Sequence, residues 1–132
     1  MNVIDSSAWL EYFADGPNAS RFAGPIRDEG ALLVPSITLF EVFKRVRTQR
    51  DSDFALVAVA QMKRGTVIDL DAYLAIEAAE MSADMGLSLA DSVILATTRS
   101  QDATLWTQDA HFEGMSGVRY YAHRRRAKRK KR

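Results

Sequence analysis

The chain has 132 residues, 47% of them apolar and 27% charged, a balance that fits one globular domain with a substantial core and excludes a disordered chain. It has no cysteine, so disulfides and thiolate metal sites are excluded and a reducing compartment fits. The net charge of +1 hides an asymmetry: residues 124 to 132 hold eight of the 18 Lys and Arg, leaving 10 against 17 Asp and Glu in residues 1 to 123, a net of −7.

Asn2-Val3-Ile4 is a short β-rich run, and the helix-capping types Asp5-Ser6-Ser7 follow it. Trp9, Leu10, Tyr12 and Phe13 then recur at helical spacing, which predicts a strand and a helix. Turn chemistry at Asp15-Gly16-Pro17-Asn18 precedes a second short helix, disturbed by Gly24-Pro25 and stopped by Asp28-Glu29-Gly30. Ala31 to Val34 is the next strand. Pro35-Ser36 opens a third helix with Ile37, Leu39, Val42 and Val46 on its apolar side and Lys44, Arg45, Arg47 and Arg50 on its wet side. Glu41 lies among the apolar residues. Residues 51 to 64 form a fourth helix, capped by Asp51 or Ser52 and closed by Gly65, so that a helical hairpin results.

Thr66 to Leu70 is a third strand, and Asp71 caps a long helix that Gly86 ends. Ser88 then caps a helix running to about Asp102, and Ala103 to Thr107 is a fourth strand. A helical turn at residues 110 to 113 and a last strand from Val118 to Tyr121 complete residues 1 to 123, beyond which 124 to 132 form a basic tail expected to be disordered. Short strands alternating with helices imply an α/β fold whose mostly parallel sheet is covered on both faces. The chain begins without a basic leader, and its longest apolar run, Phe54 to Ala60, is far below the roughly 20 residues that span a bilayer, so a cytoplasmic protein is the expectation.

Four acids stand out by context. Asp91 is the one carboxylate in the uncharged, largely apolar stretch Leu87 to Thr98, with Ile94, Leu95 and Thr98 on its own face and no Lys or Arg there to pair with it. It fits the third position of an S-x-x-D cap after Ser88, or a cation ligand, since a buried carboxylate without a partner must be hydrated, protonated or neutralised. Asp5 and Asp109 follow strands directly, which is where open parallel sheets bind ligands. Glu41 and Asp91 lie in early helical turns that can face the same edge. Four carboxylates brought close raise each other's pKa, and Mg²⁺ or Mn²⁺, which prefer carboxylate and water oxygens, relieve that repulsion.

These segments resemble a family. Val3-Ile4-Asp5-Ser6-Ser7, the Glu41 of Ser36-Ile37-Thr38-Leu39-Phe40-Glu41-Val42, the helix Leu89-Ala90-Asp91-Ser92-Val93-Ile94 and the strand end Leu105-Trp106-Thr107-Gln108-Asp109 are similar to the four acidic motifs of PIN-domain nucleases. Their order, spacing and length look most like the VapC-type toxins of bacterial toxin–antitoxin pairs. The resemblance covers residues 1 to 121 and implies a three-layer α/β/α sandwich. It implies a Mg²⁺- or Mn²⁺-dependent endoribonuclease that hydrolyses RNA phosphodiesters through metal-activated water, usually a homodimer, held inactive by a cognate VapB-type antitoxin. Asp5, Glu41 and Asp91 would hold the principal metal and Asp109 would complete the cluster, while Ser6 and Thr107 would donate to carboxylate or substrate phosphate. The basic tail is outside the family pattern, and it reads either as a solvated extension or as a phosphate-binding arm.

Simpler roles exist for each residue. Asp5 and Asp109 suit helix caps, and Glu41 could pair with Lys44 or Arg45 in its own helix. His111 and His123 are the only histidines, too few for a histidine metal box, and His111 reads as a loop residue rather than a catalyst. Trp9, Tyr12, Phe13, Phe40 and Phe43 read as core or dimer face, part of which could serve an antitoxin. Two rival functions remain: a binding-only PIN-like module, and a phosphoacceptor receiver domain, for which Asp69 could pass as acceptor but no suitable Lys follows a late strand.

Overall fold

A computed structural model describes residues 1–125; the expectation of a disordered tail falls, from residue 126 onward, outside the described residues. Five short strands, Asn2–Ile4 (β1), Leu32–Pro35 (β2), Thr66–Ile68 (β3), Thr104–Thr107 (β4) and Val118–Tyr120 (β5), form one sheet in the order β3-β2-β1-β4-β5. Every pairing is parallel, so the sheet is wholly rather than mostly parallel among the described residues. The order differs from the 2-1-3-4-5 order of receiver domains, which removes that rival. It also puts the switch in chain direction between β1 and β4, where a crevice opens beyond the carboxyl ends of the strands.

Strand period two divides the core. Ile4, Leu32 and Val34 face one side with Trp9, Phe22, Val42 and Met62, while Val3, Leu33 and Leu105 face the other with Ile94, Leu95 and Phe112. Helices Ser6–Phe13 (α1), Ala19–Arg27 (α2) and Ser52–Met62 (α4) cover the first face, and Leu89–Ser100 (α6) covers the second with Ala72–Met85 (α5) packed against it. Helix Ser36–Gln49 (α3) gives Val42 to one cluster and Ile37 to the other, so it straddles the end of β2. The result is an α/β/α sandwich with Glu41 near the carboxyl edge of the sheet.

Local chemistry accounts for the boundaries. Asp51 and Asp71 accept hydrogen bonds from Phe54 and Leu74 N–H as caps of α4 and α5, and Gly86 ends α5 in the left-handed conformation at φ 70°. Pro25 does not break α2, because it stands near the C-terminal end and its buried ring packs in the core, which offsets the missing N–H. Ala31 belongs to a 3-10 turn, Glu29–Ala31, rather than to β2. Trp9 is buried core and Phe40 is 62% exposed, which separates two of the aromatic residues that shared one reading in the sequence. No described helix is long and apolar enough to cross a membrane.

Candidate active site

The site grows from the end of β1. Backbone N–H of Asp5 donates to Trp106 O at 3.1 Å, continuing the ladder with β4, and the chain then turns into α1. Asp5 is the N-cap of that helix: Oδ1 accepts from Ala8 N at 2.9 Å and from Ser7 Oγ at 2.7 Å. Oδ2 accepts from Thr107 Oγ1 at 2.5 Å, across the β1–β4 seam. The residue is 2% exposed. Burial pushes its carboxyl up to about 6, against the downward pull of the Thr107, Ser7 and Ala8 donors and with a smaller upward push from Asp109.

The other acids arrive from three different elements. Glu41, half-buried on α3, accepts from Ser6 Oγ at 2.6 Å and makes no ion pair with Lys44 or Arg45. Asp91 plays two parts at once: its N–H donates to the Ser88 Oγ cap at 3.3 Å, while its carboxylate lies 3.1 Å from His111 Nδ1. Asp109 follows β4, donates its backbone N–H to Thr107 Oγ1 at 2.9 Å, and caps the 3-10 turn Ala110–Phe112 by accepting from His111 N at 2.9 Å. Thr107 therefore spans two acids, donating to Asp5 and accepting from the Asp109 backbone. Asp5, Glu41, Asp91 and Asp109 all line one open groove of about 800 Å³, which Phe54 and Val57 of α4 also line.

Sequence reasoning missed three things. His111, read as a loop residue rather than a catalyst, lies in the 3-10 turn after Asp109, which folds the imidazole back so that Nδ1 sits 3.1 Å from Asp91 and 3.3 Å from Asp109. The Asp91 hydrogen bond, with both acids adding to it, raises its pKa. Glu11, 7% exposed, accepts from Asn18 N at 2.9 Å, and Asn18 Nδ2 donates to Gln108 Oε1 at 3.1 Å and to Ala122 O at 2.9 Å. That strut ties the turn after α1 to the residue between Thr107 and Asp109. Only the turn composition at residues 15 to 18 hinted at it. His123 and Arg124 also reach this rim, the first lining the groove and the second 3.5 Å from Asn18 Oδ1.

The donor set fits a divalent cation. One ligand atom each from Asp91, Asp109 and His111 lie within 4.8 Å of one another. Among the described residues no Lys or Arg is ion-paired with any of the four acids. Neutral hydroxyls and backbone N–H groups orient Asp5 and Glu41 without neutralising them, which leaves their charge available to a hard cation.

Comparison with known proteins gives a family and a fold. Residues 3–118 match the PIN domain. No curated protein matches in sequence. A toxin–antitoxin complex from Klebsiella pneumoniae is similar in structure with a TM-score of 0.77 at 19% identity, covering 93% of this chain and 100% of that one. VapC20 of Mycobacterium tuberculosis, a Sarcin-Ricin loop cleaving toxin, is similar with a TM-score of 0.73 at 19% identity over 90% and 99%. DNA-bound VapBC from Salmonella typhimurium is similar with a TM-score of 0.68 at 19% identity over 92% and 96%. With its parallel sheet, its acid-lined groove at the β1–β4 seam and a family match over nearly all of the described residues, the chain belongs to the PIN-domain family.

Proposed function

We propose that this protein is a divalent-metal-dependent endoribonuclease and the toxin of a toxin–antitoxin pair. The observation that carries the proposal is the convergence of Asp5, Glu41, Asp91 and Asp109, from four separated segments, on one groove, with no Lys or Arg among the described residues paired to them. A Mg²⁺ or Mn²⁺ ion bound there would supply Lewis acidity toward a phosphodiester and a lowered pKa for attacking water.

The chain's own residues do the positioning. Asp5, Glu41 and Asp91 would hold the cation and Asp109 would complete the cluster, with Glu41 reaching the groove from α3. Thr107 and Ser7 fix both oxygens of Asp5, and Ser6 fixes Glu41, so the acids need little rearrangement on loading. Arg45 on the groove wall supplies a phosphate contact. Similarity to a Sarcin-Ricin loop cleaving toxin supports RNA as the substrate class, and similarity to toxin–antitoxin complexes supports a protein partner. The exposed apolar side chains Phe54 and Val57 lining the same groove suit a peptide laid in it by a VapB-type antitoxin. Phe40, Tyr73, Ile76 and Leu89, each more than 60% exposed, suit burial in a homodimer.

The test is the double substitution Asp5→Asn with Asp91→Asn. RNA cleavage in Mn²⁺ should fall by about 10³-fold or more, since metal assistance supplies several kcal/mol at the transition state. Cleavage at the wild-type rate by the folded double variant refutes the nuclease reading. A wild-type protein that shows no thermal shift with Mn²⁺ favours the binding-only alternative.

A further inference from the structure

We infer that His111 is a ligand of the cation site, so that the site takes an imidazole nitrogen beside its carboxylates and prefers Mn²⁺ or a later transition ion to Mg²⁺. The inference rests on the reading of the acid groove as a cation site and specifies that site's chemistry. Its ground is geometric. Ligands about 2.1 Å from an octahedral ion, as for Mg²⁺, are separated along the octahedron's edges by about 3.0 Å, and slightly larger ions spread them a little further. His111 Nδ1 lies 3.1 Å from Asp91 Oδ2 and 3.3 Å from Asp109 Oδ1, which are edge separations of that kind. The imidazole is delivered by a short element with little freedom: Asp109 caps the turn through His111 N, and the neighbouring Phe112 is fully buried in the core. His111 itself is 71% exposed in its side chain, and among the described residues the polar partners of its ring are Asp91 and Asp109.

The donor set then sorts ions. Carboxylate and water oxygens serve Mg²⁺ and Mn²⁺ alike, but nitrogen adds affinity in the Irving–Williams order, with Mn²⁺ lowest of the transition ions and Co²⁺ and Ni²⁺ above it. Mg²⁺ gains least from an imidazole. A four-carboxylate site with no nitrogen would discriminate between Mg²⁺ and Mn²⁺ much less.

The experiment uses the full chain, stripped of metal with chelator and loaded with one equivalent of Mn²⁺. Electron spin-echo modulation of the bound Mn²⁺ should show an imidazole ¹⁴N coupling that is lost in His111→Ala and kept in His123→Ala, the only other histidine. Competition titration should show the preference for Mn²⁺ over Mg²⁺ falling about tenfold or more in His111→Ala, the size of effect that even outer partners of metal ligands produce. His111→Asp should bind both ions with that preference still reduced, which separates loss of nitrogen from loss of a ligand. Mn²⁺ bound without nitrogen coupling, coupling that survives in His111→Ala, or an unchanged preference overturns the assignment of His111 while leaving the acid site intact. No Mn²⁺ binding by the wild-type chain overturns both.

Discussion

Replacing Asp5 by Asn should change how stability depends on pH, and the size follows from the burial of one carboxyl. Its pKa stands near 6 in the folded chain against 3.8 when unperturbed, chiefly because burial disfavours the charged form. The folded state therefore holds this proton more tightly than the unfolded state does. The associated stability is complete below about pH 3.8 and is lost as pH rises through about 6. A shift of about two units at 1.36 kcal/mol each amounts to about 3 kcal/mol, of which about 2 kcal/mol falls between about pH 4.5 and 8. The Asp5→Asn protein cannot titrate there and keeps that share. Its amide satisfies Thr107 less well, at a cost of about 1 kcal/mol, but this cost is independent of pH and cancels when the two pH values are compared.

Urea unfolding of both proteins in chelator at the two pH values gives the quantity directly. The wild type should lose about 2 kcal/mol relative to Asp5→Asn on going to the higher pH. Mn²⁺ at about 100 times its dissociation constant should then add about 2.7 kcal/mol to the wild type at the higher pH, and far less to the variant. A wild-type-minus-variant difference that stays constant across the pH range would mean that Asp5 is ordinarily ionised in its buried position, and the burial argument would fail.

Three further outcomes are expected. Glu41→Gln should lower RNA cleavage by about 10²-fold with stability changed by less than about 0.5 kcal/mol, since Glu41 is only half-buried; Ser6→Ala, which removes a 2.6 Å bond to it, should cost less activity, both read by gel cleavage and thermal melts. Gly16→Ala drives a Cβ into the Glu11 carboxylate, well inside van der Waals contact, and should destabilise by about 1 to 3 kcal/mol by forcing Glu11 off Asn18, seen as a lowered melting temperature. The pKa of His111 is raised in the folded chain, so its contribution to stability is present below 6.5 and lost as pH rises through the folded value; NMR titration should find it above 6.5 in chelator and lowered by Mg²⁺.

The sequence showed its elements clearly because strand runs such as Asn2-Val3-Ile4 and caps such as Asp71 and Ser88 announce themselves locally. The candidate acids were visible for a related reason: each sits at an element boundary or in an apolar stretch where a charge is out of place. What stayed hidden depends on where a turn sends its next side chain. His111 follows Asp109 by two residues, and only the 3-10 geometry of the turn decides that its ring meets Asp91, twenty residues away in the chain. The Glu11–Asn18–Gln108 strut includes a hydrogen bond between residues 90 positions apart, and no local pattern encodes such a pairing. The second helix, expected to run past Gly24-Pro25 and stop at Asp28, does so, with Pro25 buried near its C-terminal end.

Asp5 is oriented by two hydroxyls and one backbone N–H, is paired with no basic side chain among the described residues, and is 2% exposed. The pull of such a pocket on a cation acts over a few ångströms through protein rather than through electrolyte, well inside a Debye length of about 8 Å at physiological ionic strength, so added salt screens it weakly. On the proposed nuclease reading, contacts between the groove's surface arginines and RNA phosphates would face the electrolyte directly and weaken as counterions compete. If that reading holds, the protein in concentrated salt should keep a bound metal and release RNA, so that loading of the ion and capture of the substrate can be separated by ionic strength alone.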